Sequence, residues 1–501
     1  MINKRYYFKR QREIKAFYTY FFVIFATYCG NLFTLMQANY NQTDDIGRVA
    51  WGFKGWDDYG RYLSVFLSSF IHGDFILNDI SPLPQIIAAL IITVASIILI
   101  QFFSNDDGFS FNSVLAVLPL GMSPYFYACF SYKFDAPYMA LSILFSVFPL
   151  FFIEKKLKIY LASTFVCTLC MMLTYQAASG IFLLTICFWL FIHWNKGKLW
   201  QWCINRLTAS FVAFLSACAF FKLFLAQERN TYVSTEIADV DSIFNIVLQN
   251  IRTYFSYLYS DSNIFWVVIY GSLFLVCVYA AVRGTCRNKV IVVILTVLLL
   301  YGGLILSYGG YLVLKKPLFE PRAMFGFGAF LSLVSLIVVR FTNRKSIVSL
   351  ILLPLCISYL MFGITCGKAM YEQQKADRLL AEQIINDLSK IPNLSDNNIR
   401  TMQIKGDGEP VPACLSLFTK YPIAVRFVKN RMQSGYYYSE FYLYHYYGLP
   451  GVKQVLCNKL SPELNEGVSI DDASIPVFCD KLQYIIKADE RYIVVKIKSY
   501  T

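Results

Sequence analysis

Between Gln37 and Gln85 the chain gathers three short acidic runs: Asp44-Asp45-Ile46-Gly47-Arg48, Asp57-Asp58-Tyr59-Gly60-Arg61 and Asp79-Ile80-Ser81-Pro82-Leu83-Pro84-Gln85. A carboxylate at a membrane surface can take the proton from a sugar hydroxyl while nearby arginines hold a phosphate leaving group. That combination is what a lipid-linked sugar donor requires. Asp44 and Asp45, with Asp57 and Asp58 behind them, are the candidate bases; Arg48, Arg61, Asp79 and Gln85 are candidate substrate ligands. The plainer alternative is that these acids and arginines are solvated or neutralise one another.

Three further clusters carry polar groups next to apolar runs. Ser131-Tyr132-Lys133-Phe134-Asp135 makes Lys133 and Asp135 candidates for a polar cavity, because charges at a membrane boundary are costly unless paired or wet. An interfacial snorkelling pair is the alternative. Tyr175-Gln176 stands at the end of another run. Lys315-Lys316-Pro317-Leu318-Phe319-Glu320-Pro321-Arg322 offers three cations to a phosphate head group, with Arg322 favoured because a guanidinium fork grips two phosphate oxygens at once. General attraction to anionic lipid would need no such geometry. Of the three histidines, His72 lies in the first loop, His193 at a helix end and His445 in the tyrosine-rich stretch Tyr436 to Tyr447. That stretch can stack on sugar rings or pack a domain. The 14 cysteines show no paired spacing and read as small buried hydrophobes, although two of Cys414, Cys457 and Cys479 could pair. No metal motif stands out; Mg or Mn on the paired aspartates and metal-free catalysis are both consistent with the residues.

The elements that must position these groups are membrane helices. Hydrophobic residues make up 57% of the 501 positions and charged ones only 15%, outside the usual globular range. Apolar runs long enough to cross a core roughly 30 Å thick recur about eleven times. They are expected at Ala16 to Met36, Ile86 to Phe103, Val114 to Phe130, Ala136 to Ile153, Ile159 to Leu173, Gly180 to Trp194, Leu207 to Leu225, Ile264 to Val282, Val290 to Tyr308, Phe325 to Val339 and Ile347 to Gly367. The basic start, from Lys4 to Lys15, and the length of the first run read as an uncleaved span with its N-terminus in the cytoplasm. The net charge of +13 then marks topology and implies no nucleic acid. Lys155, Lys156 and Lys158, then Lys196, Lys198 and Arg206, then Arg283, Arg287 and Lys289, then Arg340, Arg344 and Lys345 fall in alternate loops that face the cytoplasm.

The expected architecture is a polytopic α-helical membrane protein, N-in and C-out. A membrane domain of residues 1–367 carries outside loops 37–85 and 226–263, and residues 368–501 form a small C-terminal α/β domain in the periplasm. An amphipathic helix is expected from Met370 to Ile391 and strands at Arg400 to Lys405 and Arg491 to Lys498.

The acidic first loop ending in Asp79 to Gln85, Ser131 to Asp135 before a span, Tyr175-Gln176, and Pro321-Arg322 before the tenth span together resemble the bacterial O-antigen glucosyltransferases of the GtrII type. The resemblance implies a GT-C-like plan in the bacterial inner membrane. It also implies transfer of glucose from undecaprenyl phosphate to the O-antigen repeat of lipopolysaccharide on the periplasmic side, with inversion and a first-loop acid as base. The competing readings are a transporter or flippase for lipid-linked saccharides and a non-catalytic assembly factor. A transporter should carry ionisable residues deep within its spans, which here hold almost no Asp, Glu or Arg.

Overall fold

The computed structural model describes residues 2–104, 109–226, 236–342, 345–394, 400–430, 432, 452–454, 470–471 and 473–498. The tyrosine-rich stretch with His445, Arg344 and Cys457 lie outside the described residues.

Away from water a backbone satisfies its own polar groups only as helix or closed barrel, and each apolar run named above lies on helix. The first, α1 (Ile2–Ala38), leads into two short helices of the first loop, α2 (Thr43–Trp51) and α3 (Tyr62–His72), before α4 (Leu83–Phe103). The run from Val114 to Phe130 is divided among α5 (Phe111–Val117), α6 (Pro119–Met122) and α7 (Pro124–Ser131), with a 51° bend at Ser123. Pro124 supplies no N–H to a continuing helix, and the Ser123 hydroxyl accepts the Phe126 N–H at 3.3 Å, starting a new one. There follow α8 (Ala136–Val147) with a 3-10 turn to Phe152, α9 (Leu157–Thr174), α10 (Ser179–Asn195), α11 (Trp200–Phe224), α12 (Ile243–Asp261), α13 (Ile264–Arg283), α14 (Lys289–Leu306), α15 (Gly326–Phe341), α16 (Lys345–Leu388) and α17 (Pro412–Lys420).

Among the described residues eight helices are long and apolar enough to cross a membrane, or nine if the bent pair is one span. The chain is mostly helical and has the make-up of a polytopic membrane protein. Ala136–Phe152 and Gly326–Phe341 are apolar but shorter. For α15 the surroundings explain the length: it is buried from Gly326 through Val338 against α5, α10 and α13, so protein covers what lipid would otherwise have to.

The stretch expected as a span followed by a separate amphipathic helix is one helix. α16 has 44 residues, about 66 Å at 1.5 Å per residue, roughly twice the bilayer core. Gly367 does not break it. A Cβ there would lie 2.4 Å from the Leu35 backbone nitrogen, so the glycine serves the close packing of α1 on α16. The boundary expected at 367/368 therefore falls inside a continuous stem.

At the far end of that stem Ala381, Ile384 and Leu388 pack on Met402, Ile404, Ile486, Ile493 and Val495 of a five-stranded sheet. The strands are β1 (Arg400–Lys405), β2 (Val452–Gln454), β3 (Val477–Asp480), β4 (Tyr484–Ala488) and β5 (Tyr492–Ile497), in the order β2-β1-β5-β4-β3. β1 is parallel to β2 and β5; the β5-β4-β3 side is antiparallel. Cys414 donates to the Ala369 carbonyl and Cys479 to Asp387, so these two do not pair with each other.

Candidate active site

The first loop is pinned by its helix starts and turns. Asp45, third residue of α2, accepts the Gln42 N–H at 3.0 Å, the return bond of a capping box. This fixes where α2 begins and sends Asp44 and Asp45, neighbours in sequence, about 100° apart around the helix. Gly60 adopts φ 68° to close the 3-10 turn Asp57–Tyr59, packs against Leu225 and Phe221, and delivers Arg61 beyond the turn.

Asp45 belongs to an enclosed cluster. Arg48, Lys133, Asp135 and Asp45 are all nearly inaccessible. The Arg48 guanidinium forms an ion pair with Asp135, stands 3.9 Å from Asp45, and lies 4.6 Å over the Trp56 ring. Trp56 Nε1 donates to Asp135 at 2.6 Å. Lys133 Nζ donates to Asp79 at 2.6 Å and Asn39 at 2.8 Å, while its backbone N–H reaches Asp45 at 3.3 Å. Burial pushes the Asp45 carboxyl up to about 7, against the pull of Arg48 and Lys133. Gln85, buried at the start of α4, accepts from Ser81 at 3.3 Å.

Asp44 opens the other way. Its carboxylate meets Arg322 at 2.9 Å, joining the first loop to the turn that precedes α15 across 278 residues. The side chains are 36% and 16% exposed. Burial works to raise the Asp44 pKa, but Arg322, Arg48 and Arg61 outweigh it and hold the carboxyl below its usual range. The Arg322 guanidinium lies 4.2 Å over the Tyr132 ring, and its buried Nε has no acceptor among the described residues. Tyr175 donates its hydroxyl to the Arg322 carbonyl at 3.2 Å. Arg61 lies 4.4 Å over the Tyr175 ring and 4.9 Å over Tyr59, with Nε donating to Gln176 at 3.0 Å. Gln176 in turn donates to the Tyr59 carbonyl at 2.8 Å.

Asp44, Arg61, Tyr175, Gln176 and Arg322 are thus one group, and Asp45, Arg48, Asp79, Lys133 and Asp135 a second one beside it. The remaining candidates stand apart. Asp57 and Asp58 are exposed on their turn. Lys315 forms exposed ion pairs with Glu236 at 3.3 Å and Asp239 at 3.1 Å. Lys316 is exposed and Glu320 half-buried. His72 bonds the Asn78 carbonyl and stacks on Phe134, a packing role.

Sequence reading missed Trp56, Tyr132 and Gln42. Gln42-x-x-Asp45 departs from the usual Ser/Thr-x-x-Glu/Gln capping-box pattern, so the sequence does not mark Gln42 as the start of α2. Nothing local marks Trp56 or Tyr132.

The paired aspartates do not point to a common centre. Asp44 faces Arg322, whereas Asp45 faces Gln42 and Lys133, and among the described residues no three of His, Cys, Asp and Glu converge. A cation would meet one carboxylate already paired with arginine.

The basic loops gather at the opposite end of the bundle. Arg206 bonds the Lys155 carbonyl at 3.1 Å and Arg287 the Lys198 carbonyl at 2.7 Å. From there α9 runs to Tyr175, at the candidate site.

The family model described as glucosyl transferase GtrII matches residues 32–333, more than half of the chain and both halves of this site. The chain belongs to that family. GtrII membership and the apolar helices together mark a membrane glycosyltransferase. A protein described as an uncharacterized 55.3 kDa protein in the gtrB 5' region of Salmonella phage P22 is 23% identical over 362 residues, covering 69% of this chain and 73% of the relative. No solved structure matches the chain.

Proposed function

We propose that this GtrII protein transfers glucose from undecaprenyl phosphate glucose to the O-antigen repeat of lipopolysaccharide at the periplasmic side of the inner membrane. In this reading the chain has eleven spans, N-in and C-out, on a GT-C-like plan. The Asp44–Arg322 pair carries the proposal: a half-exposed base and a phosphate-binding fork held 2.9 Å apart by loops far apart in sequence.

The donor phosphate competes with Asp44 for the Arg322 guanidinium, and Arg61 approaches from the Tyr175 side. Once phosphate neutralises Arg322, the main influence that lowers the Asp44 pKa weakens and the carboxylate becomes a stronger base. It takes the proton of the acceptor hydroxyl as that oxygen bonds to the anomeric carbon. The bond from that carbon to the phosphate oxygen breaks, and the lipid phosphate leaves with the electron pair. A single displacement inverts the anomeric configuration. Tyr132 and Tyr175 are buried and carry Arg322 and Arg61 over their rings, so they hold the two guanidiniums in place for the phosphate. In this reading no step passes through Mg or Mn, since Asp44 and Asp45 face different partners.

The direct test incubates membranes containing the protein with radiolabelled undecaprenyl phosphate glucose and O-antigen acceptors of several repeat types. Labelled, inverted glycan is expected; intact protein that labels none of them would reject the assignment.

A further inference from the structure

We propose that Arg426, beyond the family match, is a positioning residue. It holds the Phe319–Arg322 turn so that Arg322 stays opposite Asp44 after the donor phosphate has displaced their ion pair. The inference rests on the reading of Asp44 as base and Arg322 as phosphate ligand.

Arg426 ends a 3-10 turn, Pro422–Arg426, just after α17. One amino group forms an ion pair with Asp261, the last residue of α12, whose side chain is 3% exposed and also accepts the Tyr125 hydroxyl at 3.0 Å. The other donates to the Phe319 carbonyl. The guanidinium lies 4.1 Å over the Tyr257 ring, with its amino nitrogens 3.9 and 3.8 Å from Met324 Sδ. One planar fork therefore joins α12 to both ends of the turn that bears Arg322.

The next residues reach the other half of the site. The Phe427 carbonyl accepts from the Gln42 side chain at 3.0 Å, and Lys429 exchanges bonds with the Tyr40 hydroxyl, donating its N–H at 3.1 Å. Gln42 sets the start of α2 and hence the direction of Asp44. Residues 426–429 thus form a strap that touches the base-bearing loop on one side and the phosphate-bearing turn on the other. The direct link between those halves, Asp44–Arg322, is the contact that substrate must break. The strap persists when it does.

A lysine at 426 can keep the ion pair with Asp261 but has no second arm fixed toward Phe319. Arg426→Lys and Arg426→Gln are therefore expected to lower kcat at least tenfold per folded molecule while KM for the lipid donor changes by less than threefold. Hydrogen exchange should quicken in peptides covering 318–325 and 39–46 and stay unchanged at 281–289, at the opposite end of the bundle. Variants with kcat within twofold of wild type, or exchange that is unaltered or rises equally everywhere, would overturn the assignment. The exchange pattern judges Arg426 even if the wild type transfers no glucose, which would count against the proposed function instead.

Discussion

Two groups of charge lie side by side at one end of this molecule, and they solve different problems. Around Asp135 the carboxylates, Arg48, Lys133 and the Trp56 indole exchange bonds with one another behind protein. Around Asp44 the carboxylate is 36% exposed and its partner Arg322 16%, so solvent and solutes reach this pair. A cluster buried in protein resists new ligands, since an entrant must displace the cover and replace bonds already made. One that reaches the surface is open to them. The comparison assigns shape to the first group and chemistry to the second.

The largest separation is expected at the neighbouring aspartates. Asp44→Asn should reduce transfer by about 10²- to 10⁴-fold, the usual range for a positioned general base, with little change in the thermal midpoint. Asp45→Asn should keep most of the activity. Equal loss in both would dissolve the distinction between the groups.

Next comes the enclosed pair. Arg48→Met strands Asp135 without its cation and is expected to cost about 3–5 kcal/mol of stability. Adding Asp135→Leu should recover part of that loss. Denaturant titration in detergent reads both, and a double variant less stable than the single one would show that the pair itself, not the stranded charge, matters.

A smaller effect is expected from Arg322→Lys, which keeps the charge and loses the fork. KM for the lipid donor should rise by roughly one power of ten, in line with one lost charge-assisted bond. Unchanged donor KM would remove Arg322 from the phosphate site.

A last effect is in pH. The Asp45 carboxyl stands near 7 in the fold against its usual 3.8. The native state therefore keeps a proton that the unfolded chain has released, and this contribution is full at low pH and lost as pH rises toward 7. Asp45→Asn still offers an oxygen to the Gln42 N–H but has no such loss. Its midpoint relative to wild type should rise between pH 5 and pH 8; a flat difference would place Asp45 in a wetter setting.

How far the sequence reveals this follows from the range of each interaction. Apolar runs and the basic loops between them are local patterns, and they anticipate helices at all eleven positions. The choice between Asp44 and Asp45 is not legible, because it depends on which residue starts α2. Nor is the meeting of Asp44 with Arg322, or of Arg426 with Phe319, since loop contacts across hundreds of residues leave no periodic trace. The fusion of span and amphipathic stretch into α16 escapes for another reason. Its two parts differ in polarity while sharing one helical period, and a change of solvent reads as a change of element.

That continuous rod has a mechanical corollary. Each residue of an α-helix advances the chain about 1.5 Å and turns it about 100°. One residue inserted into α16 near Gly367 would swing the sheet and everything anchored to it a quarter-turn or more around the bundle. The number of residues in the shaft is therefore constrained as tightly as their kind, and natural length variation in this protein belongs in its loops.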